Sequence, residues 1–346
     1  MFFDYLCNML TIFTFLLAMF PLKLWPAEKP DMAVLSSEQR EGYTCQLVEY
    51  RTFGEERVQA YLLSPADGEK HPGLVLLHDH GARFDIGKEK LVRPLAGTPQ
   101  HIQESARQWV RDGFDGVYFA DSLASLGYVV LVPDALYWGS RSSEKCRRWS
   151  RMQFGDAPRD GIRELKQEVY EGQRAVYDSL HRRGVIWAEQ TLNEDAAAAR
   201  LLKSLPNVRE VGCFGWSMGA HRAWLLAAFC QEVKTGAALC WMTLKRTQAQ
   251  PPSASDYSMM IPRLRSRYDF PDIGRALAPK PFLFLSGRTD HLFPEDATAE
   301  AFRTLQQIYR EEGAEGALKT EFFEGGHHCG KAQQRTLVRF LDGILK

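Results

Sequence analysis

The stretch Val211-Gly212-Cys213-Phe214-Gly215-Trp216-Ser217-Met218-Gly219-Ala220 decides how this chain is read. An apolar run ends in Gly-Trp-Ser-Met-Gly and leads into a helix-like stretch over residues 220–229. Small residues on both sides of a serine let the backbone turn sharply from strand to helix, so that the hydroxyl projects from the tip of the turn above an open helix N-terminus. This is the pattern of a nucleophile elbow. The competing reading is a tight glycine-rich turn holding an ordinary serine, and the surrounding strands and helices decide between the two.

An exposed serine becomes a useful nucleophile only when a histidine removes its proton and a carboxylate orients that histidine. In hydrolases built on this elbow the chain order is serine, acid, histidine. Downstream, Lys280-Pro281-Phe282-Leu283-Phe284-Leu285-Ser286-Gly287 reads as a buried strand with Arg288-Thr289-Asp290 directly after it. Thr320-Glu321-Phe322-Phe323 reads as another strand, ending in Glu324-Gly325-Gly326-His327-His328. An acid past one strand and a histidine past the next would stand on the same edge of a parallel sheet as the elbow, where ligands bind in such sheets. Ser217, Asp290 and His327 are therefore the expected catalytic set. Asp290 also suits a loop-capping role, whereas Glu295 and Asp296 read as first-turn acids of the helix running to Glu312. His327 is preferred to His328 because the two glycines before it can form the turn that presents it.

Such a serine also needs N–H donors aimed at the oxygen that turns negative in the tetrahedral intermediate. One is expected from the backbone N–H of Met218, the other from a loop after an earlier strand. Gly73-Leu74-Val75-Leu76-Leu77 is an apolar run that His78-Asp79-His80-Gly81-Ala82-Arg83 leaves, so the backbone N–H of His80 or of Gly81 is the second candidate. The same His-Asp-His string, with His327 and His328, offers zinc-type ligands. Three ligands in consecutive extended positions point to alternate faces, so no metal is expected, and the chemistry calls for no cofactor.

The chain resembles an α/β-hydrolase of the dienelactone hydrolase and acetyl xylan esterase-like group. The segments that carry the resemblance are Leu77-His78-Asp79-His80-Gly81, Gly127-Tyr128-Val129-Val130-Leu131-Val132-Pro133-Asp134 and Gly215-Trp216-Ser217-Met218-Gly219. Tyr268-Asp269-Phe270-Pro271-Asp272-Ile273 with Ala278-Pro279-Lys280-Pro281, and the Asp290 and His327 segments, complete it. It runs from about residue 43 to the C-terminus and implies serine-dependent hydrolysis of carboxylic esters, often acetyl groups on sugars. Fold-level similarity does not fix the substrate.

Hydrophobic residues make up 45% of the 346 and charged residues 25%, ordinary values for a globular enzyme with a sizeable core. Lys plus Arg equals Asp plus Glu at 43 each, so no basic surplus argues for nucleic acid. The local exception is Arg141, Lys145, Arg147, Arg148 and Arg151, interleaved with Trp138 and Trp149; a solvated loop anchored by tryptophans is preferred to a substrate-binding role. Residues 44–50 and 58–63 read as antiparallel edge strands. Residues 84–113 and 137–161 read as long irregular insertions near the site, and their aromatics Phe84, Trp109, Tyr137, Trp138 and Trp149 suit a sugar or acyl face or, as the default, packing of the loops themselves. Helices are expected over 117–126 and 162–183, and another opening at Asn193 as N-cap and reaching Ser204. Alternating strands and helices predict a mainly parallel sheet covered on both faces. The domain plan is thus an N-terminal segment, 1–35, and a single α/β-hydrolase catalytic domain, 36–346, with insertions near 84–115 and 137–161.

Residues 5–22 are apolar without a charge and sit near the lower length limit for a spanning helix, which suits an anchor, an export signal or membrane contact. Asp4 stands where a signal would carry a positive flank, and a later start, for instance at Met32, is the third reading. The seven cysteines contain no Cys-x-x-Cys pair, and Cys213 and Cys240 read as buried thiols, a weak sign of a reducing compartment. The expected activity is a serine ester hydrolase acting on a small-molecule or carbohydrate ester. A serine peptidase on the same scaffold and a non-catalytic binding protein of this fold are the alternatives.

Overall fold

The apolar runs of the sequence become the centre of a nine-stranded sheet. The computed structural model describes residues 22, 24–26, 31–53, 56–247, 254–261, 264 and 268–346. The strands are β1 (Met32–Arg40), β2 (Tyr43–Arg51), β3 (Arg57–Pro65), β4 (His71–Leu77), β5 (Val129–Pro133), β6 (Val208–Trp216), β7 (Val233–Leu239), β8 (Phe282–Gly287) and β9 (Leu318–Phe323). The helices are α1 (Gln100–Gly113), α2 (Phe119–Ser125), α3 (Glu144–Phe154), α4 (Ile162–Arg182), α5 (Trp187–Ser204), α6 (Met218–Phe229), the short α7 (Gly274–Leu277), α8 (Glu295–Glu311) and α9 (Lys331–Leu345). Spatial order is β1-β2-β3-β5-β4-β6-β7-β8-β9. The pairs β1–β2, β2–β3 and β3–β5 are antiparallel. Every pair from β5 onward is parallel.

Alternation along each strand divides the core in two, as a pleated strand must when both faces are covered. Val75 and Leu77 of β4, Cys213 of β6 and Phe282 and Phe284 of β8 pack with α5, α6 and α8. Leu74 and Leu76, Phe214 and Trp216, and Leu283 and Leu285 pack on the other face with α1, α2 and α9. This is the α/β-hydrolase architecture expected above. A third cluster joins Phe84, Tyr137, Trp138 and Trp149 from the two inserted segments to Met218 at the start of α6. Packing thus takes most of the insertion aromatics that the sequence left open between core and substrate.

Several expectations change. The segments 84–113 and 137–161 are not irregular throughout, since they contain α1 and α3. The latter is capped by Ser143, whose hydroxyl accepts the Cys146 N–H. The helix expected to open at Asn193 opens six residues earlier, at Trp187. Asn193 is mid-helix, donating from its side-chain amide to Glu189 O, four residues back. The acids that follow it are held by arginines from elsewhere: Arg141 grips Glu194 with two bonds of 2.6 and 2.7 Å, and Arg222 grips Asp195 at 3.0 and 2.7 Å. Arg141, Lys145, Arg147 and Arg151 each pair with an acid, which accounts for most of the basic cluster locally. β1 straddles the 35/36 boundary, and Leu22 is buried in the core. The cysteines from Cys45 onward are buried free thiols. No helix among the described residues is long and apolar enough to cross a membrane. The expectation for residues 5–21 lies outside the described residues.

Candidate active site

The elbow exists because two glycines permit it. A Cβ on Gly215 would stand 1.9 Å from Gly219 O, and one on Gly219 would stand 1.8 Å from Leu77 O. Only bare Cα atoms let α6 start this close to β6 and to the end of β4. Between them Ser217 is held at φ +56°, ψ −123°, a conformation a side chain adopts at a cost of order 1–3 kcal/mol and keeps only when its surroundings fix it. The surroundings do so: Ser217 N–H donates to Leu239 O at 2.9 Å, and Ser217 O accepts the N–H groups of Ala220 and His221. Met218 is the first residue of α6, so its N–H lacks an intrahelical acceptor.

Asp290 follows β8 and is both things the sequence allowed. Its Oδ1 caps the turn by accepting the N–H groups of Leu292 and Phe293, while its Oδ2 accepts His327 Nδ1 at 2.8 Å. Burial pushes this carboxyl up, but the His327 contact and the two N–H bonds outweigh it and hold it below the ordinary 3.8. The loop after β9 is stitched to the loop after β8, with Arg288 N–H on Phe323 O and Thr289 N–H on Gly325 O, each 3.0 Å. Gly287 must be bare for it to pass, because a Cβ there would lie 2.5 Å from Gly325 O and from Gly326 O. That turn delivers His327 to Asp290. His328 leaves in another direction, its Nε2 2.8 Å from Asp115 Oδ1 near the end of α1. Glu295 pairs with Arg288 on the surface, and Asp296 stands 3.9 Å from Arg246.

The His327 ring lies 5.3 Å from the Trp216 ring, centroid to centroid, one residue before the serine. Among the described residues, neither its Nε2 nor Ser217 Oγ takes a hydrogen-bond partner. The structure therefore joins Asp290 to His327 and brings that imidazole beside the elbow, while no serine-to-imidazole bond is closed. Such bonds commonly tighten only when substrate is bound.

The His78-Asp79-His80 string has its polar atoms committed elsewhere. His78 Nδ1 bonds Asp79 O at 2.9 Å, and its Nε2 accepts the Ala135 N–H at 3.1 Å. His80 Nδ1 accepts the Ala82 N–H, which leaves Nε2–H to donate to Gln173 Oε1 at 2.9 Å. Burial pushes His80 down to about 4 and His78 well below 6.5, so both are neutral in the fold. Among the described residues the group with metal-type spacing is a different one: Cys240, Asp290 and His327, with ligand atoms within 4.8 Å of one another. There Asp290 and His327 are already hydrogen-bonded to each other. Burial, followed by the charge of Asp290, pushes the Cys240 thiol up to about 12, which disfavours the thiolate a metal would need.

Sequence reasoning missed Trp216 as the platform for His327, and Lys90 and Trp109, which hold the loop after β4. Lys90 Nζ donates to the carbonyls of Asp79 and His80, and Trp109 Nε1 donates to Asp79 Oδ1. A cavity of about 330 Å³ opens beside Ala82, lined by Phe84, Trp149, Tyr170 and Val169, with Arg163 and Lys166 on it.

A model of the dienelactone hydrolase family matches residues 113–336, which include Ser217, Asp290 and His327. The Bacillus subtilis (strain 168) protein YtaP, named as a hydrolase, is 25% identical over 325 residues, covering 92% of this chain and 94% of that one. A Bacteroides fragilis protein named as an acetyl xylan esterase shares the fold with a TM-score of 0.65 at 16% identity, over 90% of this chain and 74% of its own. A glucuronoyl esterase from Solibacter usitatus does so with a TM-score of 0.59 at 12% identity, over 95% of this chain and 91% of its own.

Proposed function

Because the chain belongs to the dienelactone hydrolase family, we propose that it is a serine-dependent carboxylic ester hydrolase with Ser217 as nucleophile, His327 as base and Asp290 as orienting acid. The observation that carries this reading is the His327–Asp290 bond of 2.8 Å made through Nδ1, with Nε2 left unpartnered and the ring packed beside the residue that precedes Ser217. An imidazole held in this way carries its proton on Nδ1 and offers a basic Nε2 to the hydroxyl.

In the first half-reaction Ser217 Oγ attacks the acyl carbon as His327 Nε2 takes its proton. The carbonyl oxygen turns negative and accepts the N–H of Met218 and an N–H from His80 or Gly81. His327 then protonates the departing alcohol, leaving an acyl-serine. Water, deprotonated by the same Nε2, releases the acid and restores the serine. The route uses side chains and water, with no metal or organic cofactor.

The cavity beside Ala82 supports an alcohol part with a flat or apolar face, since Phe84, Trp149 and Tyr170 offer aromatic surface. A small acyl ester of a carbohydrate fits that surface and agrees with the names of the acetyl xylan and glucuronoyl esterases that share the fold. The test is Ser217→Ala assayed on p-nitrophenyl acetate. Turnover falls by at least ~1000-fold with the fold intact, in keeping with removal of a triad member; unchanged turnover contradicts the assignment.

A further inference from the structure

The turn Gly87-Lys88-Glu89-Lys90 buries two lysines with different partners. Lys88 Nζ lies 2.7 Å from Asp134 Oδ2 and 2.9 Å from Glu89 Oε1, an ion-pair set complete in itself. Lys90, whose side chain is 0% exposed, meets Asp79 Oδ2 only at 3.4 Å. Its shorter bonds go to backbone, at 2.8 Å to Asp79 O and 2.9 Å to His80 O. Taking an ammonium out of water is costly unless its donors are satisfied, and here they are satisfied by the two carbonyls of the loop after β4.

Those carbonyls belong to the peptide units 79–80 and 80–81. In a planar trans peptide the C=O and the N–H point in opposite directions. An amine that holds the two oxygens therefore sets the direction of the His80 and Gly81 N–H groups, which face away from it. Neither N–H donates to another described residue. Two tryptophans complete the frame. Trp138 Nε1 donates to His80 O at 3.0 Å, and Trp109 Nε1 donates to Asp79 Oδ1 at 3.2 Å with its ring 5.2 Å from Lys90 Nζ. Gly81, at φ +56°, is locked beneath Trp109, where a Cβ would lie 2.4 Å from the ring. A cation on a carbonyl oxygen also polarises the amide and makes its N–H a stronger donor.

We propose that Lys90 is the positioning residue of the oxyanion site: by clamping the Asp79 and His80 carbonyls it fixes the N–H groups of the same peptide units toward the oxygen of the tetrahedral intermediate. The inference rests on the ester-hydrolase reading. It predicts an effect confined to the transition state, since the intermediate's oxygen, unlike the substrate's, depends on that aim.

The experiment compares Lys90→Met, Lys88→Met, Trp138→Phe and Ser217→Ala, with folding followed by circular dichroism and denaturant midpoint, and kcat and KM measured on p-nitrophenyl acetate. In folded Lys90→Met, kcat falls about 10- to 100-fold with KM within ~2-fold, somewhat less than deleting an oxyanion donor outright. Lys88→Met loses stability but keeps kcat within ~3-fold. Trp138→Phe keeps an aromatic ring and removes one donor to His80 O, so kcat drops about 3- to 10-fold at unchanged KM, and this variant decides the matter if Lys90→Met does not fold. A folded Lys90→Met with wild-type kcat, a Lys88→Met as impaired as Lys90→Met, or an unaffected Trp138→Phe overturns the proposal. Turnover that survives in Ser217→Ala overturns the hydrolase reading instead, so the two failures are distinguishable.

Discussion

Two histidine-bearing strings stand just past the ends of parallel strands, His78-Asp79-His80 after β4 and His327-His328 after β9. They share residue types and an edge of the sheet, yet their duties differ. Around β4 both nitrogens of each ring are committed to backbone or to Gln173, the rings are buried, and burial keeps them neutral. After β9 one nitrogen of His327 is committed to Asp290 and the other is left without a partner among the described residues. An uncommitted nitrogen beside a strained serine, rather than the presence of histidine, is what supports His327 as the proposed base.

The comparison breaks first, if it breaks, on His327→Ala. Its ester turnover should drop by at least ~1000-fold while the denaturant midpoint falls less than in His80→Ala, because the ring is partly exposed and makes one bond, to Asp290. His80→Ala should show a large loss of stability, about 2–4 kcal/mol, since it opens a buried site and orphans both Gln173 Oε1 and the Ala82 N–H. Equal stability in the two variants would erase the distinction.

Acid sharpens the same contrast. His80 has a folded value near 4 against an ordinary 6.5, and His78 and His221 are lowered as well, each chiefly by burial. The folded state therefore binds fewer protons than the unfolded chain below the ordinary value. The contribution is fully present above about pH 6.5 and is lost as pH falls toward 4, which a series of unfolding midpoints across that window reads directly. A flat stability profile over the window would contradict the neutral, buried assignment.

The smallest effect belongs to His328→Gln. That ring pairs with Asp115 away from Asp290, so kcat and KM should stay within ~3-fold of the parent, as for a surface substitution. A loss matching His327→Ala would mean the two neighbours have exchanged roles.

Most of the sheet was legible because its strands are uninterrupted apolar runs between turn residues, and the elbow because Gly215 and Gly219 bracket the serine. The helices inside the insertions were less so. α1 offers few apolar positions in a polar stretch and starts after Pro99, not after a hydroxyl or acidic cap. Ser143 did carry a cap signal for α3 that the density of arginines obscured. Asn193 misled because its side chain serves the interior of a helix already under way. Lys90 left no trace at all: a Lys-Glu-Lys triplet reads as solvated surface, and only the folded chain reveals that all three side chains are buried. Its partners are backbone carbonyls, which every residue possesses and no sequence pattern marks.

The most direct measurement of the central claim is labelling by a fluorophosphonate probe followed by peptide mapping, on the parent protein and on His327→Ala. The account predicts one adduct, on Ser217, formed quickly by the parent and lost or greatly slowed without His327. No adduct, an adduct on another residue, or labelling indifferent to His327 would contradict it.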